Sequence, residues 1–320
     1  MGSRAHYVLI KDRQLNIFYS HRGALAIPAV IASGPEATLA YIRELEPAQG
    51  LIGMLALIEG GIFLDVDAHS VLFWGGDAIA GHPYLRRPLL AALPWLWPGW
   101  SIHWATYGIA DLRRAMNRKA SQTLDDDIDD IAFLVGNEAT VTEAHLLQSL
   151  KTQGPGTLLT LRWKTGEVRD YFFLAGTPRL RDKYGNYPFS ATPYEILSLS
   201  SPLLTLMLTQ PTASLPREGD PQEPDEGALV DEETHSIWVW QNDTLDPRYL
   251  EAIARRWPGW QVQGHVEGMV RQVILSGRDP TTLMIPHQQA IDELIEELMQ
   301  QPGIDLRRVS RAIQQTFPVE

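Results

Sequence analysis

The sequence predicts an α+β fold made of two pseudo-repeated units of antiparallel hairpins with packed helices, followed by a C-terminal helical segment. Three observations predict it: a motif that occurs twice at fixed spacing, a hairpin pattern ahead of each copy, and an amphipathic stretch near the C-terminus.

The motif reads Leu-Asp-Val-Asp-Ala-His-Ser-Val-Leu-Phe-Trp over residues 64–74, with Asp77 after it. It returns over 230–240 as Val-Asp-Glu-Glu-Thr-His-Ser-Ile-Trp-Val-Trp, with Asp243 after it. Downstream of each copy stands the same tetrapeptide, Trp97-Pro98-Gly99-Trp100 and Trp257-Pro258-Gly259-Trp260. A β-like stretch and a glycine, Gly108 or Gly268, then open an apolar-periodic segment. Two matches in the same order mark a diverged internal duplication. The interval from Trp74 to Trp97 is longer than that from Trp240 to Trp257, and the extra residues fall around the turn signal Gly81-His82-Pro83-Tyr84.

Upstream, residues 7–10 and 15–19 flank Lys11-Asp12-Arg13-Gln14 and read as a hairpin of β-favouring residues. Residues 157–163 and 168–173, around Lys164-Thr165-Gly166-Glu167, read as its counterpart. Pro35 and Glu36 begin a helix after the first hairpin, and Thr192 is placed to cap one after the second. The first unit therefore covers 1–120 and the second 155–280. Local strand pairing points to antiparallel sheets rather than a doubly wound parallel one.

Three segments lie outside this pattern. Residues 121–154 form an acidic linker and a helix, with Asp125, Asp126, Asp127, Asp129 and Asp130 in one run. Residues 211–227, rich in Pro and acids, read as a mobile acidic loop within the second unit. Residues 281–320 hold C-terminal helices, the first with Ile291, Leu294, Ile295 and Leu298 on one stripe.

Composition narrows the function. The 39 acidic and 27 basic side chains give a net charge of -12, which disfavours a nucleic-acid partner and suits either simple solubility or a basic protein partner. No Cys occurs, which excludes disulfides, thiolate nucleophiles and cysteine-ligated metals. The apolar stretch 51–64 is broken by Glu59, Gly60 and Gly61 and is too short for a membrane span. With no secretory signal pattern at the first residues, a cytoplasmic location is expected.

Candidate chemistry sits in the repeated motif. On a strand, Asp65, Asp67 and His69 alternate onto one face, as do Asp231, Glu233 and His235, a set able to bind a divalent cation or to act as acid and base. Read instead as a polar hairpin turn, the same residues form no site, and the turn is the favoured reading. The aspartate run 125–130 lacks the glycine and distal glutamate of a calcium loop and reads as a solvated linker or a contact for a basic partner. Trp97, Trp100, Trp257 and Trp260 read first as corner residues of the scaffold, and otherwise as anchors for a partner. Phosphate-binding glycine loops, nucleophile elbows and zinc-protease motifs are all absent, and no metal or cofactor is expected.

The expected function is a non-enzymatic protein-binding module, of the kind in which an immunity protein neutralises a toxin or enzyme. The alternatives are a metal-assisted hydrolase with its site at the seam of the two repeat units, and a structural subunit of a larger assembly.

Overall fold

The structure is a computed structural model, and it describes residues 3–51, 58–119, 142–151, 156–174, 192–300 and 305–317. The chain divides into two compact units. One comprises Met1–Asp130 together with Pro286–Glu320, the other Ile131–Ile285.

In the first unit β1 (Arg4–Lys11) and β2 (Gln14–Ser20) form a hairpin. Its two-residue turn, Asp12-Arg13, has positive φ at both positions, 52° and 62°. That is the pattern of the type I′ turn, whose twist matches the flanking strands. Helices α1 (Ile27–Ala32) and α2 (Pro35–Arg43) lead to a short edge strand, β3 (Glu46–Ala48). A second hairpin follows, β4 (Ile58–Asp65) with β5 (Ser70–Trp74). Helices α3 (Asp77–Gly81) and α4 (Pro83–Leu96), strand β6 (Ser101–Trp104) and helix α5 (Ile109–Lys119) complete the series. The sheet order is β3-β2-β1-β4-β5-β6.

The second unit repeats the plan. After α6 (Glu143–Ser149) and the edge strand β7 (Leu150–Lys151) come the hairpin β8 (Gly156–Arg162) and β9 (Val168–Leu174), then α7 (Pro193–Leu197) and α8 (Pro202–Met207). The second hairpin is β10 (Glu226–Asp231) with β11 (Ser236–Gln241), followed by α9 (Pro247–Arg256), β12 (Gln261–His265) and α10 (Gly268–Leu275). Its sheet order is β12-β11-β10-β8-β9-β7. Thr192 caps α7 in a full capping box with Glu195, and Asp246 caps α9. Where the first unit has the extra residues ahead of Trp97, α3 precedes α4, while α9 stands alone in the second unit.

Each hairpin is antiparallel within itself, but the sheets are mixed rather than antiparallel. β1 lies parallel to β4 and β8 parallel to β10. β5 pairs in parallel with β6, and β11 with β12. The helices between the hairpins cause this, because a helical crossover returns the chain to run in the same direction beside an earlier strand.

One packing device recurs in both sheets. Gly61 sits across from Trp74, and Gly227 across from Trp240. A methyl group on Gly61 would fall 2.5 Å from the Trp74 ring; one on Gly227 would fall 2.5 Å from the Leu158 carbonyl oxygen and 2.8 Å from Trp240 Nε1. The glycine makes room for the indole on that face. Gly227→Ala should therefore lower stability by about 2 kcal/mol through overpacking, readable by urea unfolding. Wild-type stability in that variant would show that the sheet yields at this point.

The last two helices, α11 (His287–Met299) and α12 (Leu306–Thr316), belong to the first unit and pack on α4. Tyr84 donates to Glu293 at 2.9 Å, and Thr316 donates to the Ala91 carbonyl at 3.2 Å. The Arg308 guanidinium reaches the carbonyls of Ser33 and Leu96, placing a cation at the ends of α1 and α4. Over residues 211–225 the acidic stretch forms neither helix nor strand, and Ala213 and Leu215 pack against Leu158, Phe172, Trp240 and Met269. Its last two residues, Glu226 and Gly227, begin β10.

Candidate functional site

The repeated acids and histidines lie in the turns that close β4–β5 and β10–β11. Asp65 accepts the Ala68 N–H at 2.9 Å; Asp231 accepts those of Glu233 and Thr234. His69 and His235 end these turns in the left-handed region, at φ 49° and 51°. The Asp67 carboxylate accepts the amides of Asp12 and Arg13 at 2.9 and 2.7 Å, so it ties one hairpin turn to the other. In the second unit Glu233 pairs with Arg162, and Glu232 accepts the Lys164 amide. The set of alternating side chains on one strand face is thus replaced by a turn in each unit. Among the described residues, no group of three or more His, Asp or Glu is placed to hold a metal ion.

The tetrapeptides complete the same corners. Trp100 N–H donates to Trp97 O and Trp260 N–H to Trp257 O, both at 3.1 Å, with Gly99 and Gly259 at φ 80° and 83°. Proline followed by a positive-φ glycine is the signature of a type II turn. Trp97 and Trp257 are fully buried, and their indole N–H groups reach the Ile31 and Leu197 carbonyls at 2.7 and 2.8 Å. Trp100 and Trp260 remain half-buried and pack edge-on against Trp97 and Trp257. His69 meets Trp100 at 5.2 Å between ring centroids, and His235 meets Trp260 at 5.1 Å. His69 O also accepts the Ser101 N–H, as His235 O accepts that of Gln261. The histidine motif and the tryptophan motif are therefore two halves of one clasp, made twice. The aspartates at 125, 126, 127, 129 and 130 lie outside the described residues.

The units differ in what fills equivalent places. Strand register aligns Val8 with Thr160, Ile17 with Asp170 and Ala105 with His265; the equal spacing after the tetrapeptides aligns Leu112 with Gln272. In the first unit Val8, Trp74, Ala105 and Leu112 form an apolar cluster with Ile17 against it. In the second these places carry a buried polar chain. Trp240 Nε1 donates to Gln272, Gln272 Nε2 to Thr160 at 2.6 Å, and Thr160 to Asp170 at 2.6 Å. Arg278 closes the chain with two bonds to the Asp170 carboxylate. Such a chain stays inside a core because each polar group in it has a partner.

His265 sits beside this chain, 7% exposed, its ring stacked on Trp240 and tilted to Trp238. Nδ1 accepts the Glu267 N–H at 3.3 Å, while Nε2 finds no hydrogen-bond partner among the described residues. Burial, helped by Arg271, pushes its pKa down to about 3, so the ring is neutral.

The opposite face of the same sheet carries a second polar substitution. Glu226 accepts from Thr157 at 2.7 Å and from Gln241 at 3.1 Å. Its place in the first unit belongs to Gly60, which packs against Ala24 and Ile27. Burial pushes the Glu226 carboxyl above its ordinary 4.5; the two hydrogen bonds oppose this, and Asp225 and Glu195 add to it. A raised carboxyl pKa in the folded state gives stability that is present below pH 4.5 and lost as pH rises through the folded value. Glu226→Gln should accordingly melt above the wild type at pH 7, with the gap closing below pH 4.5. A gap independent of pH would show that the carboxyl titrates normally.

No protein-family model, curated protein or solved structure matches the chain. The comparison of the two units is therefore the internal reference. Single-copy pattern reading missed Thr160, Asp170, Gln272, His265 and Glu226, which belong to no motif. Their signal lies in setting one copy against the other, position by position.

Proposed function

We propose that the chain is a non-enzymatic protein-binding module of the immunity type, which neutralises a basic toxin or enzyme by occluding it. The observation that supports this reading is the use of Asp65, Asp67, His69, Asp231, Glu233 and His235 as fasteners of turns. The chain as a whole carries an excess of carboxylate, net charge -12. Exposed acids stand on α11, at Asp292 and Glu296, and on the 211–225 segment, at Asp220 and Asp225. Such a surface speeds the approach of a cationic partner and selects against anionic ones.

Affinity capture from the native host, followed by kinetics with the captured protein, tests the proposal. A single stoichiometric basic protein is expected, with an association rate constant that falls steeply as salt is raised. A partner whose association ignores ionic strength would remove the electrostatic basis, and capture of no protein would remove the binding reading itself.

A further inference from the structure

Asp170 is the meeting point of two segments that are far apart in the chain. Its main-chain oxygen accepts the Ala213 N–H at 2.9 Å, anchoring the strap 211–220 to β9. Its carboxylate holds Arg278, the first charged residue after α10. Residues 278–285 then run to Pro286, where the chain leaves the second unit for the first.

The two segments also bind each other. Glu218, 5% exposed, donates its N–H to Leu283 O at 2.8 Å and accepts the Ile285 N–H on its carboxylate at 3.3 Å. Arg217 Nε donates to the Thr282 carbonyl at 3.3 Å. Neither segment forms helix or strand; beyond short turn bonds such as Arg217 N–H to Asp220 and Leu283 N–H to the Pro280 carbonyl, their order rests on these contacts and on the packing of Ala213 and Leu215. Ser276 accepts from Arg278 Nε at 2.9 Å and fixes the direction in which the connector leaves α10.

We infer that the strap 211–220 and the connector 278–285 form one cooperative clamp on the second sheet, pinned at Asp170 and at Glu218, which opens and closes as a unit. Whatever displaces the strap thereby loosens the stretch of chain that leads into the first unit. The clamp joins a carboxylate-bearing surface loop to the connection between units without any change within the sheet.

Native-state hydrogen exchange tests this, with the amides of Ala213 and Glu218 reporting the strap and those of Leu283 and Ile285 the connector. Asp170→Asn removes the ion pair at one end, and Glu218→Gln weakens the other. Each is expected to speed exchange in both segments by the same factor, about tenfold. The amides of Ala228 to Val230 in β10 should stay slower than either segment, which separates clamp opening from unfolding of the unit. Should Asp170→Asn fail to fold, Glu218→Gln alone decides the matter. The clamp is refuted if a substitution speeds only the segment that lost its own bond, or if both segments keep wild-type rates.

Discussion

Asp170→Ala is expected to lower the stability of the second unit by about 3 kcal/mol, the low end of the cost of breaking a buried ion pair. The low end applies because the Arg278 side chain keeps 30% of its surface in water and is partly rescued there. The loss has two parts. Thr160 loses the acceptor of its 2.6 Å bond, and Arg278 loses the carboxylate that binds it twice. Adding Arg278→Ala to that background should cost little more, since the cation is no longer stranded. A double-mutant cycle in urea should therefore return a coupling of about 2 kcal/mol. Simple additivity would mean that the pair contributes nothing as a pair. The first unit supplies the reason to expect tolerance at the carboxylate's own place: Ile17 stands where Asp170 does, against the apolar cluster of Val8 and Leu112.

His265 should contribute a distinct slope to the acid limb of the stability curve. In the unfolded chain this imidazole takes up a proton near pH 6.5, whereas in the fold its pKa is about 3. A depressed folded value means that the unfolded state binds the extra proton between those limits. Stability is then present above pH 6.5 and is lost as pH falls towards 3, by about 1.4 kcal/mol for each pH unit. His265→Ala, which places the residue of the first unit's Ala105 in the second sheet, should remove that slope. The slope is the readout because the substitution also deletes ring contacts with Trp238 and Trp240, which shift the curve without tilting it. Glu226 acts with the opposite sign above pH 4.5, so the difference between variant and wild type isolates the histidine. Equal slopes in the two proteins would mean that His265 titrates normally.

Much of the local structure was legible before any coordinates. The four-residue linker Lys11-Asp12-Arg13-Gln14 announced a hairpin, and the fold makes its turn from the middle two. Thr192 was readable as a cap ahead of Pro193, and the structure adds a full capping box with Glu195. The repeated His-Ser and Trp-Pro-Gly-Trp elements announced the duplication, but not that they touch. Ring contacts between His69 and Trp100 join residues that no short-range rule connects.

Sequence alone determined the α+β class, the two copies and the turns, because each depends on residues a few positions apart: a proline and glycine at a corner, an alternation along a strand, a stripe along a helix. Only the tertiary structure decided that the hairpins join in parallel, that α11 and α12 return to the first unit, and that Thr160, Asp170, Gln272 and Arg278 share one buried chain. Gln272 and Thr160 stand 112 positions apart in sequence. A polar side chain in a strand reads as surface until its partners are known, and those partners are brought to it by long-range strand pairing and helix docking, which local propensity does not encode.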